Sequence, residues 1–524
     1  MQLRFFLTKV FQVPFRPKSH VRIILICLLL GGAIQAGASD DVQTTNNARQ
    51  LIKQAKKFTR KGEFAEAEKT LRRAVEISPT ESGAKLNLAF VLLKQRQLLE
   101  AYNYSVEVAK AEPKNARAFA VLGTILLNVG NFKEAKIVLV NALQLDNREA
   151  LAWAGLGALN FYENNISIGL AQLQNAVYLE PSEPDYVFSL AQIAARAEDY
   201  KQSADAYERF LQISPQKDVE RRDRIKGLIN FLRFLGGRQS LYSLSGSPET
   251  IVSFRLTNDR PVIELKVNGK DEPLRFVLDT GSGISVISKE TAQKLKIKPI
   301  TRGGLARGVG GDGKFEIVYG FLRSVEIGGV EIRSVPVYIR EFHSKGEKID
   351  GYIGLSLISK FLTTIDYGNL TFALKRQILA DKVESTGEVI SLPLRLTSSG
   401  FLSGEVQLEG IELPLNFIVD TGASISVLSS ELANSKEMSG FIQTEKMRVI
   451  GAAGITEEMP SLMLPKISFG SNSRESIKAV ALNLGLINET SGFEQAGILG
   501  GNFLKNYRLT FDFVNSKVIF VPVK

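Results

Sequence analysis

The residues best suited to chemistry in this 524-residue chain are two aspartates in matching contexts. Phe276 to Ser288 reads FVLDTGSGISVIS and Phe417 to Ser429 reads FIVDTGASISVLS, 141 residues further on. Each segment puts a carboxylate, Asp279 or Asp420, at the end of an apolar run and just before Thr-Gly, which suits a strand running into a tight turn. Two such carboxylates about 3 Å apart across a pseudo-two-fold axis cannot both ionise cheaply, so the pair keeps one proton over a wide pH range. One member is then an acid and the other a base. The base can take a proton from a trapped water as it attacks an amide carbonyl, while the acid hydrogen-bonds the carbonyl oxygen.

The rest of the composition removes competing chemistries. The chain holds one cysteine, Cys27, and two histidines, His20 and His343. Of these, Cys27 and His20 fall in an N-terminal stretch with a basic start, the apolar run IILICLLLGGAI (Ile23 to Ile34) and the small residues Ala36-Gly37-Ala38. That pattern is a secretory leader with cleavage expected after Ala38; the competing reading is an uncleaved N-terminal membrane anchor. Either places the body outside the cytoplasm, periplasmic or secreted. Without residues 1–38 the chain would have no cysteine and one histidine, hence no thiol nucleophile, no serine triad with a histidine to spare and no Cys- or His-based zinc site. Carboxylates would have to do the work, with no cofactor and no metal. His343, in the polar stretch EFHSKGEK, is assigned no role. The net charge of +10 includes five basic and no acidic side chains from the leader, so the remainder carries +5, which argues against a nucleic-acid partner.

The elements that must position the aspartates come as a duplicated unit. Beyond the Gly/Ser/Pro-rich stretch 236–250, a linker by composition, short runs of Val, Ile, Leu and Phe are broken by Gly and Asn-Gly turns, which reads as β-structure. VGGDG, with Val309, Gly310 and Gly311, and IGAAG, with Ile450, Gly451 and Ala452, keep the 141-residue offset. Ile353-Gly354 and Leu499-Gly500 recur at an offset grown to 146. GVGGDG also fits a dinucleotide-binding fingerprint, but KFEIVYGFL after it reads as a strand where that site needs a helix.

Upstream, helical periodicity runs on a 34-residue step: Pro79, Pro113, Asn147, Pro181 and Pro215 share it, as do the small residues Ala67, Ala101, Ala135, Gly169 and Ser203. This resembles the tetratricopeptide repeat family over residues 47–216, as five helix-turn-helix units with a capping helix at 217–235. Its concave face would take a protein partner that the sequence does not identify. The basic run from Lys217 to Arg233 alternates with acids and reads as a solvated helix face.

Residues 251–524 resemble the retropepsin-like aspartic proteases, of the clan that includes the pepsins. The resemblance implies one lobe at 251–380 and another at 386–524, with Asp279 and Asp420 catalytic. It also implies that Thr280 and Thr421 reach across to the opposite loop's backbone, and that Gly281 and Gly422 allow close approach. Val309, Gly310 and Gly311 with Ile450, Gly451 and Ala452 would form flaps over a peptide substrate in the cleft between the lobes. The halves differ after the triplets: Ser282 can hydrogen-bond Asp279, whereas Ala423 has no hydroxyl for Asp420, so Asp279 is expected to carry more of the negative charge. The expected molecule is multidomain, an all-α solenoid followed by an all-β, bilobal aspartic endopeptidase with an intramolecular pair. Pairing of lobes between molecules, a non-catalytic peptide-binding scaffold and a glycosidase using the same carboxylates are the alternatives.

Overall fold

The computed structural model describes residues 37–238, 240–343, 348–377 and 390–523, with side chains from residue 45. The expected leader, with His20 and Cys27, lies outside the described residues but for Gly37 and Ala38. The chain forms two compact units, one of residues up to Gly155 with Pro215–Asp218, the other of Leu156–Ser214 with Val219–Lys524.

In the first unit, antiparallel helices follow one another in pairs: α1 Gly37–Arg60, α2 Phe64–Ile77, α3 Ser82–Lys94, α4 Leu98–Ala111, α5 Ala116–Val129 and α6 Phe132–Leu145. The small residues of the repeat sit where helices cross. Ala67, Ala101 and Ala135 are fully buried, and a Cβ on Gly123 of α5 would lie 2.6 Å from Cγ of Leu139 on α6. Asn115 caps α5 by accepting from the Ala118 amide at 3.1 Å, satisfying one of the helix's free donors.

Helix α7, Ala150–Tyr162, leads into α8 Ile166–Leu179, α9 Pro184–Arg196, α10 Tyr200–Ile213 and α11 Val219–Gly236. The same crossing rule holds here: Gly157 meets Leu173, and at Ser203 the hydroxyl donates to the Ala191 carbonyl at 2.7 Å. The basic run on α11 is more engaged than a solvated face would be. Arg221 pairs with Asp185 and lies over the rings of Phe188 and Phe210, and Arg233 pairs with Asp205 and Glu208.

Two lobes of the same plan follow. In the first, the strand Leu274–Leu278 runs antiparallel to Arg260–Val267 and parallel to Gly351–Ile353, which is also antiparallel to Val286–Ser288. In the second, Leu415–Val419 stands in the same relations to Leu402–Leu408, Gly497–Leu499 and Ser426–Ser429. Each lobe projects a hairpin, Thr301–Arg307 with Lys314–Ile327 and Ile442–Gly451 with Gly454–Leu464. A six-stranded sheet joins the lobes, with Phe361–Asp366 of the first beside Tyr507–Asp512 of the second. The stretch 236–250, expected to be a linker, is partly sheet. Ser243–Gly246 pairs with Val330–Arg340, and Glu249–Ser253 adds an edge to the joining sheet. Ser and Gly rarely announce strands, but free edges of neighbouring strands recruit them.

Helix α11 packs on the first hairpin. Phe231 packs on Tyr319 with ring centroids 4.6 Å apart and the planes tilted by 34°, and Phe234 meets Phe321 edge-on at 5.4 Å. The contact is tight enough to exclude a methyl group, since a Cβ on Gly227 would lie 2.3 Å from the Gly303 carbonyl oxygen. Gly227→Ala is therefore expected to cost about 1–3 kcal/mol through overpacking and to lower the unfolding temperature in differential scanning calorimetry. Gly440→Ala, where an added Cβ meets nothing within 4 Å, is the silent comparison.

Candidate active site

Apart from Arg275, both central strands are buried on both faces, which explains their apolar runs, and each ends at an aspartate. The Asp279 amide donates to the Ile353 carbonyl and the Asp420 amide to that of Leu499, each at 3.0 Å. Gly354 and Gly500 then let the next loop close in: a Cβ on either would fall 2.6–2.7 Å from the backbone of Ile284 or Ile425. Ser285 and Ser426, both buried, accept the amides of Gly354 and Gly500 at 3.1 and 3.2 Å. These two serines belong to the site's frame although the sequence reading did not single them out. Their signal was present, since they match at the 141-residue offset.

The halves meet through an exchange of hydrogen bonds. Thr280 Oγ1 donates to the Val419 carbonyl at 2.6 Å and accepts the Thr421 amide at 3.1 Å. Thr421 Oγ1 donates to the Leu278 carbonyl at 2.7 Å and accepts the Thr280 amide at 3.2 Å. Both threonines are fully buried. Their glycines are forced by proximity: a Cβ on Gly281 would lie 2.4 Å from Asp420 Cγ, and one on Gly422 2.6 Å from Asp279 Oδ1. The two carboxyls are brought together, hydrogen-bonded to each other within one chain. A glycosidase arrangement, which needs its carboxyls about 5 Å or more apart, does not fit this contact.

Burial pushes both carboxyls above the usual carboxylate range. For Asp279 the Asp420 charge and the bond between them push further, against Arg340 and the Gly281 amide. Asp420 is held back by that same bond and by the amides of Gly422, Ala423 and Gly281. Two buried carboxyls in contact hold the shared proton in common. Asp279 Oδ1 takes a bond from the Gly281 amide at 2.9 Å and Asp420 Oδ1 one from the Gly422 amide at 2.8 Å, so a backbone amide of its own loop holds each carboxyl. Ala423, which lacks a hydroxyl, contributes its amide.

The hairpin tips also meet. The Ala453 amide donates to the Val309 carbonyl at 2.9 Å. Gly310 and Gly311 adopt φ of +89° and +54°, and a Cβ on Gly451 would lie 2.1 Å from the Val309 oxygen, so the tips interleave backbone on backbone. Ile450 remains 47% exposed, while Ala452 offers its carbonyl to Arg340 Nη1 at 3.0 Å. Arg340 was not singled out from sequence, where it is one cation ending an ordinary strand. A cleft of about 1680 Å³ contains the dyad, the tip residues Val309, Ile450, Gly451 and Ala452, and side chains of α9 and α11 such as Arg196 and Phe231. His343 is exposed and lines the same cleft.

The raised carboxyl pKa has a consequence for stability. Where the folded state keeps a proton that the unfolded chain has released, stability falls as pH rises. Asp279→Asn removes the titrating group, so its stability relative to the parent is expected to increase as pH rises above the ordinary carboxylate range, as read from denaturant midpoints at each pH.

A family model for aspartyl proteases matches residues 263–357 and 404–503. Two tetratricopeptide repeat models match residues 155–218 and 116–149. A search of curated proteins finds no match. Among solved structures, a thermophilic TPR protein of Thermus thermophilus is 19% identical, covering 33% of this chain and 95% of its own, with a TM-score of 0.30. MamA of Desulfovibrio magneticus RS-1 is 22% identical, covering 33% and 97%, with a TM-score of 0.24. The chain thus carries tetratricopeptide repeats in its N-terminal part and an aspartyl protease domain in its C-terminal part.

Proposed function

We propose that this protein is an aspartic endopeptidase working through Asp279 and Asp420. The observation that carries the reading is the hydrogen-bonded carboxyl pair at the floor of a large cleft beneath two touching hairpins. The ionised member of the pair takes a proton from a water held between the carboxyls as the water oxygen attacks the carbonyl carbon of a peptide. The protonated member donates to the carbonyl oxygen as it becomes tetrahedral. The proton taken from water then passes to the amide nitrogen, the tetrahedral hydroxyl returns its proton to the pair, the C–N bond breaks, and a carboxylic acid and an amine leave. The backbone amides around the pair are fixed beforehand and need not reorganise as charge moves. The glycines of the hairpin tips, at which the backbones cross without side chains between them, suit a gate that opens to admit a chain and closes over it.

The repeats are protein-interaction modules in general, and here the concave face of the array is assigned to recruiting a protein partner or the substrate itself. The basic, apolar, small-residue order of residues 1–38 assigns the body to an extracytoplasmic compartment, periplasmic or secreted, with N-terminal membrane anchorage if the leader is retained.

The test is cleavage of a degenerate peptide library by the full chain from acidic to neutral pH, in water enriched in ¹⁸O. Label is expected in the new carboxyl termini, and a statine-type transition-state mimic is expected to block its uptake. Asp279→Asn and Asp420→Asn should each reduce kcat/KM on the order of 10³-fold while the circular dichroism spectrum is kept. A binding scaffold would instead retain peptide affinity and show no turnover in the parent.

A further inference from the structure

The two lobes share a plan, yet they do not give the dyad equal surroundings. Arg340 ends the strand Val330–Arg340, which runs parallel to Val286–Ser288 with Arg340 opposite Ser288. In the second lobe the equivalent strand, Ile477–Leu482, runs parallel to Ser426–Ser429 with Leu482 opposite Ser429. Ser288 and Ser429 are themselves equivalent, 141 residues apart, so the position of a guanidinium in one lobe is held by a buried leucine in the other.

Each side chain fits its own wall. Around Arg340 stand the rings of Phe342, Tyr352 and Phe315, with centroids 5.0, 5.5 and 5.6 Å from the guanidinium carbon. One of its five donors is committed to the Ala452 carbonyl of the opposing hairpin. The acid that faces it is Asp279 of the dyad itself. Three lysines of the cleft are matched by glutamates: Lys289 by Glu341, Lys348 by Glu290, and Lys360 by Glu198. Around Leu482 the wall is apolar, with Val480, Ile487 and Ile498 buried together and Met447 and Val449 packed against them. Holding a half-buried guanidinium beside a carboxyl that must stay partly protonated is costly unless a further anion arrives to share it.

Building on the peptidase reading, we propose that the cleft is polarised. It selects peptides carrying an acidic side chain on one side of the cleaved bond, received by Arg340, and an apolar side chain on the other, received at the wall of Val480, Ile487 and Ile498 that packs on Leu482. Arginine suits the first task because its planar fork can take both oxygens of a carboxylate. An amide in place of that carboxylate fills the same space but leaves the half-buried cation unmatched, which gives discrimination by charge and not by size.

The test uses the full chain and quenched peptides in matched pairs, Glu against Gln, at each residue flanking the bond cleaved in the library, with an apolar residue kept on the other side. At pH 6 the Glu peptide is expected to be favoured at least 10-fold in kcat/KM at one of the two positions. The preference should fade as pH drops below about 4.3, where free Glu protonates. Arg340→Met should bring the Glu-to-Gln ratio to about 1 whatever the absolute rate, and Arg340→Lys should keep part of it. Cleavage with a ratio near 1 at both positions in the parent, or a ratio unchanged in Arg340→Met, overturns the polarised cleft and leaves the peptidase reading standing. Failure to cleave any peptide overturns the peptidase reading, and this inference with it.

Discussion

Two buried hydroxyls hold the dyad in place. Thr280 and Thr421 each satisfy a carbonyl and an amide of the opposite half, so four buried hydrogen bonds close a ring around the pseudo-two-fold axis. Each such bond is worth only about 1 kcal/mol net, but removing a hydroxyl would orphan two buried backbone groups at once. The carboxyls stand at the ends of the strands this ring fastens, and their spacing follows from it. Everything else about the pair, its shared proton and its glycine neighbours included, is a consequence of backbones drawn this close.

That closeness explains what could be read from sequence. Interleaved backbone leaves no room for side chains, so Gly281, Gly422, Gly310 and Gly451 recur in phase and are visible as a repeat. Helix crossings leave the same kind of trace in Ala67, Ala101 and Ala135. The positions that escaped notice are those where the two halves differ or where adjacency in sequence misleads. Arg340 leaves no trace because its counterpart is Leu482, and only sheet register relates the two. Ser282 lies close to Asp279 in the chain, yet Asp279 Oδ1 takes its bond from the Gly281 amide. The strands Ser243–Gly246 and Glu249–Ser253 were hidden because pairing at an edge depends on a neighbour, not on their own composition.

The helices of the second compact unit do more than precede the β-rich lobes along the chain. Helix α11 lies on the hairpin of the first lobe with tilted and edge-on aromatic contacts and a glycine contact, and side chains of α9 and α11 line the cleft that contains the dyad. Glu220 of α11 and Glu489 of the second lobe both pair with Arg307, a residue of that hairpin. The roof of the cleft is thereby braced from two directions by charge and from one by packing.

The sheet that joins the lobes also orders events during synthesis. Its strand Phe361–Asp366 pairs with Tyr507–Asp512, and Thr280 pairs with a carbonyl at Val419. A ribosome must therefore translate well over 100 further residues after Asp279 before the partner of that aspartate exists, and more still before the joining sheet can zip. A nascent chain carries half of an acid pair at most, and the pair is complete only when the far half has emerged and docked.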